Sequence, residues 1–368
     1  MKNKKIIGVF LACALVLTAC GSEGGDKKAS SATSGESKTS EVASTSSIEK
    51  ESGKESTEQA GAGKEVKLVR GYGVPHGTKA FGRVALLMDG DKILKAQIEE
   101  FQYSKKDSGF EAVPNGEKMN KDGESVLISK LANKEKYSQL MKEHAKATKS
   151  LDASYQAIEK FVEGKTAAEI EKAIGDAKTG KPVDAISEST LVDTVGYVKL
   201  IVETAKSGEL VATGKLAGDG SDLKIGSALA AAHGEDSFAD AVVVMEGDKI
   251  VAANLDEFQY LPKADAKGVP NSDKEFAAGY PKDQVLGSKK VNNEYYSGLM
   301  KEHAKATKTY AEDIRGIEGY TVGKTASELE KLVGENKKGK PVDAISESTM
   351  VDSIGYVDAV AKAAKNVK

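Results

Sequence analysis

The feature that most constrains the fold is an internal repeat. The segment Met141–Lys149 returns letter for letter as Met300–Lys308. Further matches, in the same order along both copies, extend the repeat over the chain after residue 64. Each copy is long enough to form its own hydrophobic core. We therefore predict two tandem homologous domains, residues 65–207 and 208–368, with an independent site in each.

Each copy has a pattern of strands followed by helices. In the first copy, two apolar runs, Val84–Met88 and Ile93–Phe101, flank a glycine-containing turn, which predicts an antiparallel hairpin. Helical spacing of apolar residues predicts a long helix over Tyr137–Phe161 and a short helix over Ala167–Ile174, with Thr166 as the N-cap of the short one. A final helix with one apolar face is expected to pack on the hairpin in each copy. This segregation of strands from helices predicts an α+β fold.

The N-terminal residues have the pattern of an exported lipoprotein. A lysine-rich start precedes an apolar run from Ile6 to Leu17, which is typical of a secretion signal and too short to span a membrane as a stable helix. The next residues, up to Cys20, resemble the bacterial lipobox, which implies removal of a signal peptide, residues 1–19, and diacylation of Cys20 with fatty acids such as palmitate. Two acyl chains give stable attachment, so we expect a lipid-anchored protein on the outer face of the cell membrane. The Ser-, Gly-, Glu- and Lys-rich residues 20–64 predict a disordered, flexible tether.

Two copies of one short segment mark the candidate site. Asp184–Thr190, with the sequence DAISEST, recurs letter for letter as Asp343–Thr349. Both copies follow Gly-Lys-Pro-Val and lead into an apolar-periodic segment, so we expect each of them to open a helix. With Ser187 as the N-cap, Thr190 would lie in the first turn, where unpaired backbone N–H groups favour a phosphate. An ordinary capped helix without a ligand also fits each copy taken alone.

These segments resemble the acceptor sequence of bacterial flavin transferases, which join FMN through its phosphate to a threonine hydroxyl. Two acceptors on one lipoprotein resemble, over the whole chain, the flavinylated extracellular electron-transfer lipoproteins of Gram-positive bacteria. The resemblance implies two covalent FMN groups, one on Thr190 and one on Thr349. The remaining residues of the acceptor motif are Asp184, Ser187, Ser189, Asp343, Ser346 and Ser348. The family often has Gly and Ala where this chain has Glu and Ser, and Ser189 is an alternative acceptor.

Two tyrosines share a helical stripe with the acceptor threonines. Tyr197 follows Thr190 at the same spacing as Tyr356 follows Thr349, two helical turns further along the chain. In a helix this spacing places both members of a pair on one side. Either tyrosine could therefore lie beside a flavin ring. Tyrosines at helical spacing are more often packed half-buried against their neighbours, so both interpretations stay open at the level of the sequence.

The resemblance implies an electron carrier rather than an enzyme, and we identify no catalytic residue. Electrons would pass from a membrane quinone, through a membrane partner, to extracellular acceptors such as ferric iron. A separate flavin transferase would attach the FMN. The main alternative is a cell-surface solute-binding lipoprotein whose two domains close on a ligand, without a redox cofactor. An adhesion or structural lipoprotein is a third interpretation.

Charge and residue spacing argue against several other functions. The formal net charge of −3 becomes −3 − 3 = −6 when residues 1–19, with three lysines and no acids, are removed, which does not suit nucleic-acid binding. The four histidines occupy two pairs of corresponding positions, and neither copy has the ligand spacing of a metal site. These histidines, for which we expect structural or solvent-exposed roles, are His76, His144, His233 and His303. The sequence contains no phosphate-binding glycine loop and no nucleophile motif.

Overall fold

The computed structural model of the protein describes residues 63–181 and 183–368. The predicted signal peptide, the predicted lipidation site Cys20 and the predicted tether up to residue 62 lie outside the described residues. The described residues belong to one compact unit, Gln59–Lys368. Within the described ranges, no helix is both long and apolar enough to cross a membrane.

The first repeat is built on a five-stranded antiparallel sheet with the strand order β4-β3-β2-β1-β5. Its strands are β1 (Glu65–Gly73), β2 (Ala80–Asp89), β3 (Lys92–Lys105), β4 (Ser125–Ser129) and β5 (Leu210–Lys215). Its helices are α1 (Gly116–Met119), α2 (Lys134–Ala145), α3 (Leu151–Val162), α4 (Ala167–Ile174) and α5 (Thr194–Ser207). Strand β5 follows the predicted domain boundary at residue 207 and pairs with β1 in the first sheet.

The second repeat is built on a four-stranded antiparallel sheet with the strand order β6-β7-β8-β9. Its strands are β6 (Leu223–Ala230), β7 (Ser237–Glu246), β8 (Lys249–Pro262) and β9 (Gln284–Ser288). Its helices are α6 (Asn293–Ala304), α7 (Tyr310–Thr321), α8 (Ala326–Glu335) and α9 (Ser353–Lys365). In both repeats the strands form an antiparallel sheet, and the helices lie outside that sheet. This segregation confirms the predicted α+β fold.

A long hairpin forms the centre of each sheet. Strands β2 and β3 meet at a turn in which Gly90 has a φ of 59°, a left-handed conformation that glycine adopts without strain. An irregularity at Leu87–Met88 shifts the register of the hairpin, and the same shift recurs at Val244–Met245 in the second repeat. The hairpin predicted from Val84–Met88 and Ile93–Phe101 is therefore confirmed.

The two sheets pack face to face, and each carries its helices on the opposite face. Along β2, Val84 and Leu86 belong to a cluster with the helices of the first repeat, whereas Ala85 and Leu87 belong to a cluster with the second sheet. Successive side chains of a strand point to opposite faces, so a strand covered on both faces is mostly apolar. Strand β2 is accordingly buried over Ala80–Met88. The architecture has four layers: helices, sheet, sheet and helices.

Corresponding aromatic residues of the two repeats meet between the sheets. Phe81 and Phe101 of the first sheet contact their counterparts in the second sheet, Phe238 and Phe258, with ring centroids 5.7 to 6.0 Å apart. All four rings are fully buried. Because each phenylalanine meets a residue from the other copy, this cluster joins the two repeats into one packed unit.

A buried ion cluster also joins the repeats. Asp240 on β7 accepts hydrogen bonds from Arg70 at 2.7 Å and from Arg83 at 3.0 Å. The two arginines come from the first sheet, and all three side chains are buried. Arg83 and Asp240 occupy corresponding positions in the two copies. The repeats have therefore acquired opposite charges at the position where they face each other.

The segment predicted as one long helix, Tyr137–Phe161, is two helices, α2 and α3, so this prediction is wrong. Lys146 ends α2 in a left-handed conformation with a φ of 54°. Ser150 then caps α3, because its hydroxyl accepts a hydrogen bond from Ala153 N at 3.3 Å. Apolar spacing continues across the break, and periodicity alone therefore indicated one helix. The short helix α4 and its N-cap, Thr166, are confirmed.

Candidate functional site

Each predicted acceptor segment, Asp184–Thr190 or Asp343–Thr349, folds as two successive turns that are held by buried apolar side chains. In the first repeat, Ile186 N donates to Val183 O at 2.8 Å, and Ser189 N donates to Ile186 O at 2.9 Å. Val183, Ile186 and Ser189 are buried, whereas Asp184 and Ser187 are exposed. The corresponding residues of the second repeat have the same burial: Val342, Ile345, Ser348, Asp343 and Ser346. The turns fix the end of the segment, where the acceptor threonine lies.

The helix after each acceptor segment starts later than predicted. Helix α5 begins at Thr194, and its N-cap residue Asp193 makes no side-chain capping hydrogen bond. Thr190 therefore lies outside the helix, and the predictions that Ser187 is the N-cap and that Thr190 belongs to the first turn are wrong. The physical reason is the burial of Ile186, which draws the chain into turns before the helix starts. Helix α9 follows the second acceptor segment at the same distance.

Thr190 lies in the wall of a cleft of about 200 Å³ on the first repeat. Its hydroxyl oxygen is buried and has no hydrogen-bond partner among the described residues. The other lining residues include aromatic, apolar and basic side chains and one acid: Tyr137, Met141, Leu191, Tyr197, His76, Lys130, His144 and Asp193. A buried hydroxyl without a partner costs about 1–3 kcal/mol. A ligand bonded to the Thr190 oxygen would remove that cost.

A buried ion pair lies beside this cleft. Lys130 Nζ is 2.5 Å from Glu100 Oε2, and the Tyr197 hydroxyl donates to the same oxygen at 2.5 Å. The Tyr155 hydroxyl is a third donor to this oxygen, at 3.3 Å. Burial alone would raise the pKa of Glu100, but Lys130 and His76 together lower it to about 2. The carboxylate is therefore charged at neutral pH and holds Lys130 and Tyr197 in fixed positions.

The second repeat retains this network. Lys289 Nζ contacts the Glu257 carboxylate, and the Tyr356 hydroxyl donates to Glu257 Oε2 at 2.6 Å. Burial raises the pKa of both Tyr197 and Tyr356 well above 10, so their hydroxyls stay protonated. The two tyrosines that the sequence suggested as flavin contacts are thus 2% and 1% exposed and bonded to a glutamate. Tyr197 also lines the cleft beside Thr190.

Thr349 has different surroundings from Thr190. Its backbone N–H donates to Asp313 Oδ1 at 2.5 Å, and its hydroxyl donates to the same oxygen at 3.1 Å. The Ser348 hydroxyl also donates to Asp313 Oδ1, at 3.2 Å. Sequence reasoning missed Asp313, which lies on α7, outside the acceptor motif. The alignment of the two copies that pairs Thr349 with Thr190 also pairs Asp313 with Ser154, and this difference is the signal that would have found it.

The other candidate residues have ordinary structural partners or are exposed. Ser189, the alternative acceptor, is 1% exposed, and its hydroxyl lies 2.9 Å from the Thr194 hydroxyl. His233 Nδ1 is 2.8 Å from Asp352 Oδ2, and His303 is exposed on α6. Over residues 63–181 and 183–368, no group of three or more His, Cys, Asp or Glu side chains is arranged to hold a metal ion.

The cleft at Thr190 combines three features that suit one kind of ligand. Its hydroxyl offers an attachment point, its aromatic and apolar wall suits a planar ring, and its basic side chains suit an anion. An anionic aromatic molecule that is joined through the threonine fits this combination. Comparison of the chain with protein-family models, with curated proteins and with solved structures finds no match.

Proposed function

We propose that the protein is an electron carrier, anchored by lipid to the outer face of the cell membrane, with FMN joined by phosphoester bonds to Thr190 and Thr349. Electrons pass from a membrane quinone-linked donor to extracellular acceptors such as ferric iron, and a separate flavin transferase attaches both groups. One observation carries the proposal. The last residue of the duplicated acceptor segment, Thr190, has its unpartnered hydroxyl at an aromatic and basic cleft in the described part of the chain.

The basic side chains of the cleft suit the phosphate of the attached group. A phosphodiester at Thr190 is an anion, and His76, Lys130 and His144 line the same cleft. The Lys130 charge is already paired with Glu100. His76 is likewise engaged, because its Nδ1 is 3.5 Å from Glu100 and its Nε2 is 3.6 Å from Asp193. An imidazole N–H of His144 is therefore the donor best placed to bind the phosphate oxygens.

The apolar wall of the cleft suits the flavin ring. Tyr137, Met141, Leu191 and Tyr197 line it, and aromatic faces and thioether sulfur atoms make favourable contacts with planar rings. Bound FMN supplies reversible electron transfer, whereas the protein supplies its placement and surroundings. The bond to Thr190 keeps the group on the protein outside the cell, where a dissociated cofactor would be diluted irreversibly. The buried ion pair fixes Tyr197, which keeps this wall in one conformation.

The test is the intact mass and visible absorbance of the exported protein, produced in a host with an active flavin transferase. We expect two added FMN masses in the wild type, one in Thr190→Val, one in Thr349→Val and none in the double variant. Valine keeps the shape of threonine and removes the hydroxyl. Ser189→Ala is the matched control, which keeps two FMN groups if Ser189 is not the acceptor. A colourless wild-type protein of unmodified mass would refute the electron-carrier proposal.

Solute binding is a second candidate function, because a cleft of about 340 Å³ receives residues from both repeats. Arg70, Tyr72 and Leu200 line it from the first repeat, and Lys267 and Val269 line it from the second. A concave site with mixed polar and apolar walls is typical of small-molecule binding. A solute that raises the melting temperature of the double threonine variant, in the absence of any flavin, would favour this alternative.

A further inference from the structure

The two acceptor sites differ at one buried position. Asp313 on α7 corresponds to Ser154 on α3 in the alignment of the two copies. Both side chains are 0% exposed. The ion pair of each repeat and the tyrosine bonded to it are the same in both copies. The exchange of a hydroxyl for a carboxylate is therefore a local chemical difference on a common scaffold.

The Asp313 carboxylate lies directly against the Thr349 hydroxyl. The hydroxyl oxygen is 3.1 Å from Oδ1 and 3.4 Å from Oδ2. The Thr349 N–H, at 2.5 Å, and the Ser348 hydroxyl, at 3.2 Å, hold the carboxylate in place. Thr349 is itself exposed. An outside donor can reach this residue, and a proton acceptor already contacts the oxygen that must lose its proton on esterification.

Thr190 lacks this arrangement. Its hydroxyl oxygen is shielded from solvent and has no hydrogen-bond partner among the described residues. The Ser154 hydroxyl is also buried without a partner in the described part of the chain. A neutral serine hydroxyl cannot accept a proton at neutral pH as a carboxylate can. The first site therefore has no carboxylate in contact with its hydroxyl, and that hydroxyl must also be exposed before a transferase can reach it.

We propose that Asp313 is the base for attachment of FMN to Thr349, and that Thr349 is modified faster than Thr190. This inference rests on the proposed function. The Thr349 Oγ1–P bond forms as the phosphoanhydride P–O bond of an activated flavin nucleotide breaks. Asp313 takes the hydroxyl proton and later releases it to solvent, and the nucleotide leaving group departs as a phosphomonoester. No electrons are transferred in this step.

The experiment measures each site separately on the unmodified full-length chain. Thr190→Val leaves only the Thr349 site, and Thr349→Val leaves only the Thr190 site. Each protein is incubated with a flavin transferase and flavin adenine dinucleotide, and initial rates are read from intact mass over a range of acceptor concentrations. Asp313→Asn is added to the first protein and Ser154→Asp to the second. Asparagine keeps an oxygen that can accept from the Thr349 N–H but has no carboxylate charge.

We expect the Thr349 site to be modified at least about 10-fold faster than the Thr190 site. Asp313→Asn is expected to lower kcat at Thr349 by about 100-fold with little change in KM, the usual effect of losing a general base. Ser154→Asp is expected to raise kcat at Thr190. A merely structural role of Asp313 would instead change KM or the melting temperature.

Two results would overturn the inference, and they are distinguishable. Equal rates at the two sites, with kcat unaffected by Asp313→Asn, would remove the role of Asp313 and leave the proposed function intact. Absence of FMN transfer to every protein would remove the proposed function and the inference together. If Asp313→Asn does not fold, Asp313→Ser decides, because it places on α7 the residue that α3 carries at the corresponding position, and an unchanged kcat at Thr349 contradicts the role of the carboxylate.

Discussion

Glu99 is expected to make the protein less stable as the pH rises toward neutrality. Its side chain is 3% exposed on β3, across from Arg83 on β2. Burial raises the pKa of Glu99 to about 7 from an ordinary value of 4.5. The charge of Arg83 and the hydrogen bond from the Ser129 hydroxyl, at 2.7 Å, offset only part of the burial effect.

The sign and size of the effect follow from these two pKa values. Between pH 4.5 and 7, the folded chain keeps Glu99 protonated while the unfolded chain loses the proton. The folded state binds more protons in this window, so the free energy of unfolding decreases with pH. The stabilisation is complete below pH 4.5 and is lost as the pH rises through 7. The pKa difference, 7 − 4.5 = 2.5, corresponds to a loss of about 3 kcal/mol.

Urea unfolding of the wild type and of Glu99→Gln at several pH values from about 5 to about 8 measures this loss. Glutamine has nearly the shape of the protonated acid and does not titrate, so the other ionisable groups cancel in the difference. The wild type should lose about 2–3 kcal/mol more than the variant over this range, because a small part of the loss occurs below it. Glu169→Gln, in the capping box of α4, is the matched control: hydrogen bonds from Thr166 hold the pKa of Glu169 below its usual value, so Glu169 titrates below the range and its loss should leave the slope unchanged. Parallel profiles of the wild type and Glu99→Gln would refute the reasoning.

Three further stability predictions use the same urea measurement. Asp240→Ala leaves Arg70 and Arg83 buried without their anion, so the free energy of unfolding should fall by about 3–5 kcal/mol, and a fall below about 1 kcal/mol would contradict the assigned cluster. Phe258→Ala removes a ring that contacts both repeats and should cost about 3–5 kcal/mol; Phe258→Leu, which retains most of the volume, should cost clearly less. Thr325→Ala removes the N-cap and capping box of α8 and should lower the free energy of unfolding by about 0.5–2 kcal/mol. Thr325→Ser keeps a capping hydroxyl and should lose much less.

The parts of the fold that depend on residues close together in the sequence were predictable. The hairpin of β2 and β3 follows from two apolar runs around Gly90, and helix α4 follows from Thr166 and the apolar residues after it. Both features are encoded within a few residues of each other. The break between α2 and α3 was missed because one capping residue, Ser150, outweighed apolar spacing that continued across it.

The packing of the two sheets was not predictable in the same way. The charge of Arg83 on a hairpin strand favours a position that faces solvent. In the structure its partner is Asp240, which lies in the other copy of the repeat. No local pattern indicates such a pair. The same is true of the contact between Phe101 and Phe258, which exists only after both sheets have formed. Long-range contacts of this kind decide which face of a strand is buried.

The candidate site, like the fold, has one part that could be predicted from the sequence and one part that could not. Letter-for-letter repetition identified the acceptor segments and their threonines, but the cleft beside Thr190 is assembled from distant parts of the chain. His76 precedes β2, Lys130 follows β4, and His144 is near the end of α2. Their convergence depends on how α2 and α5 lie on the sheet, which apolar spacing does not specify. The burial of Tyr197 on α5 depends in turn on Glu100 from β3.

Duplication has preserved the acceptor letters while their surroundings have changed. Glu257 receives a further hydrogen bond from the Ser237 hydroxyl at 2.8 Å, whereas Ala80 occupies the corresponding place in the first repeat, where Glu100 Oε1 faces His76 Nδ1 at 3.5 Å. Asp313 on α7 likewise takes the place of Ser154 on α3. Because of these two differences, the two identical acceptor segments have different polar neighbours. Under the proposed function, two chemically identical cofactors would therefore differ in how fast they attach and in the charges around them. Under the same proposal, the motif predicts which oxygen would be modified, and the neighbouring strands and helices would determine how the modified site behaves.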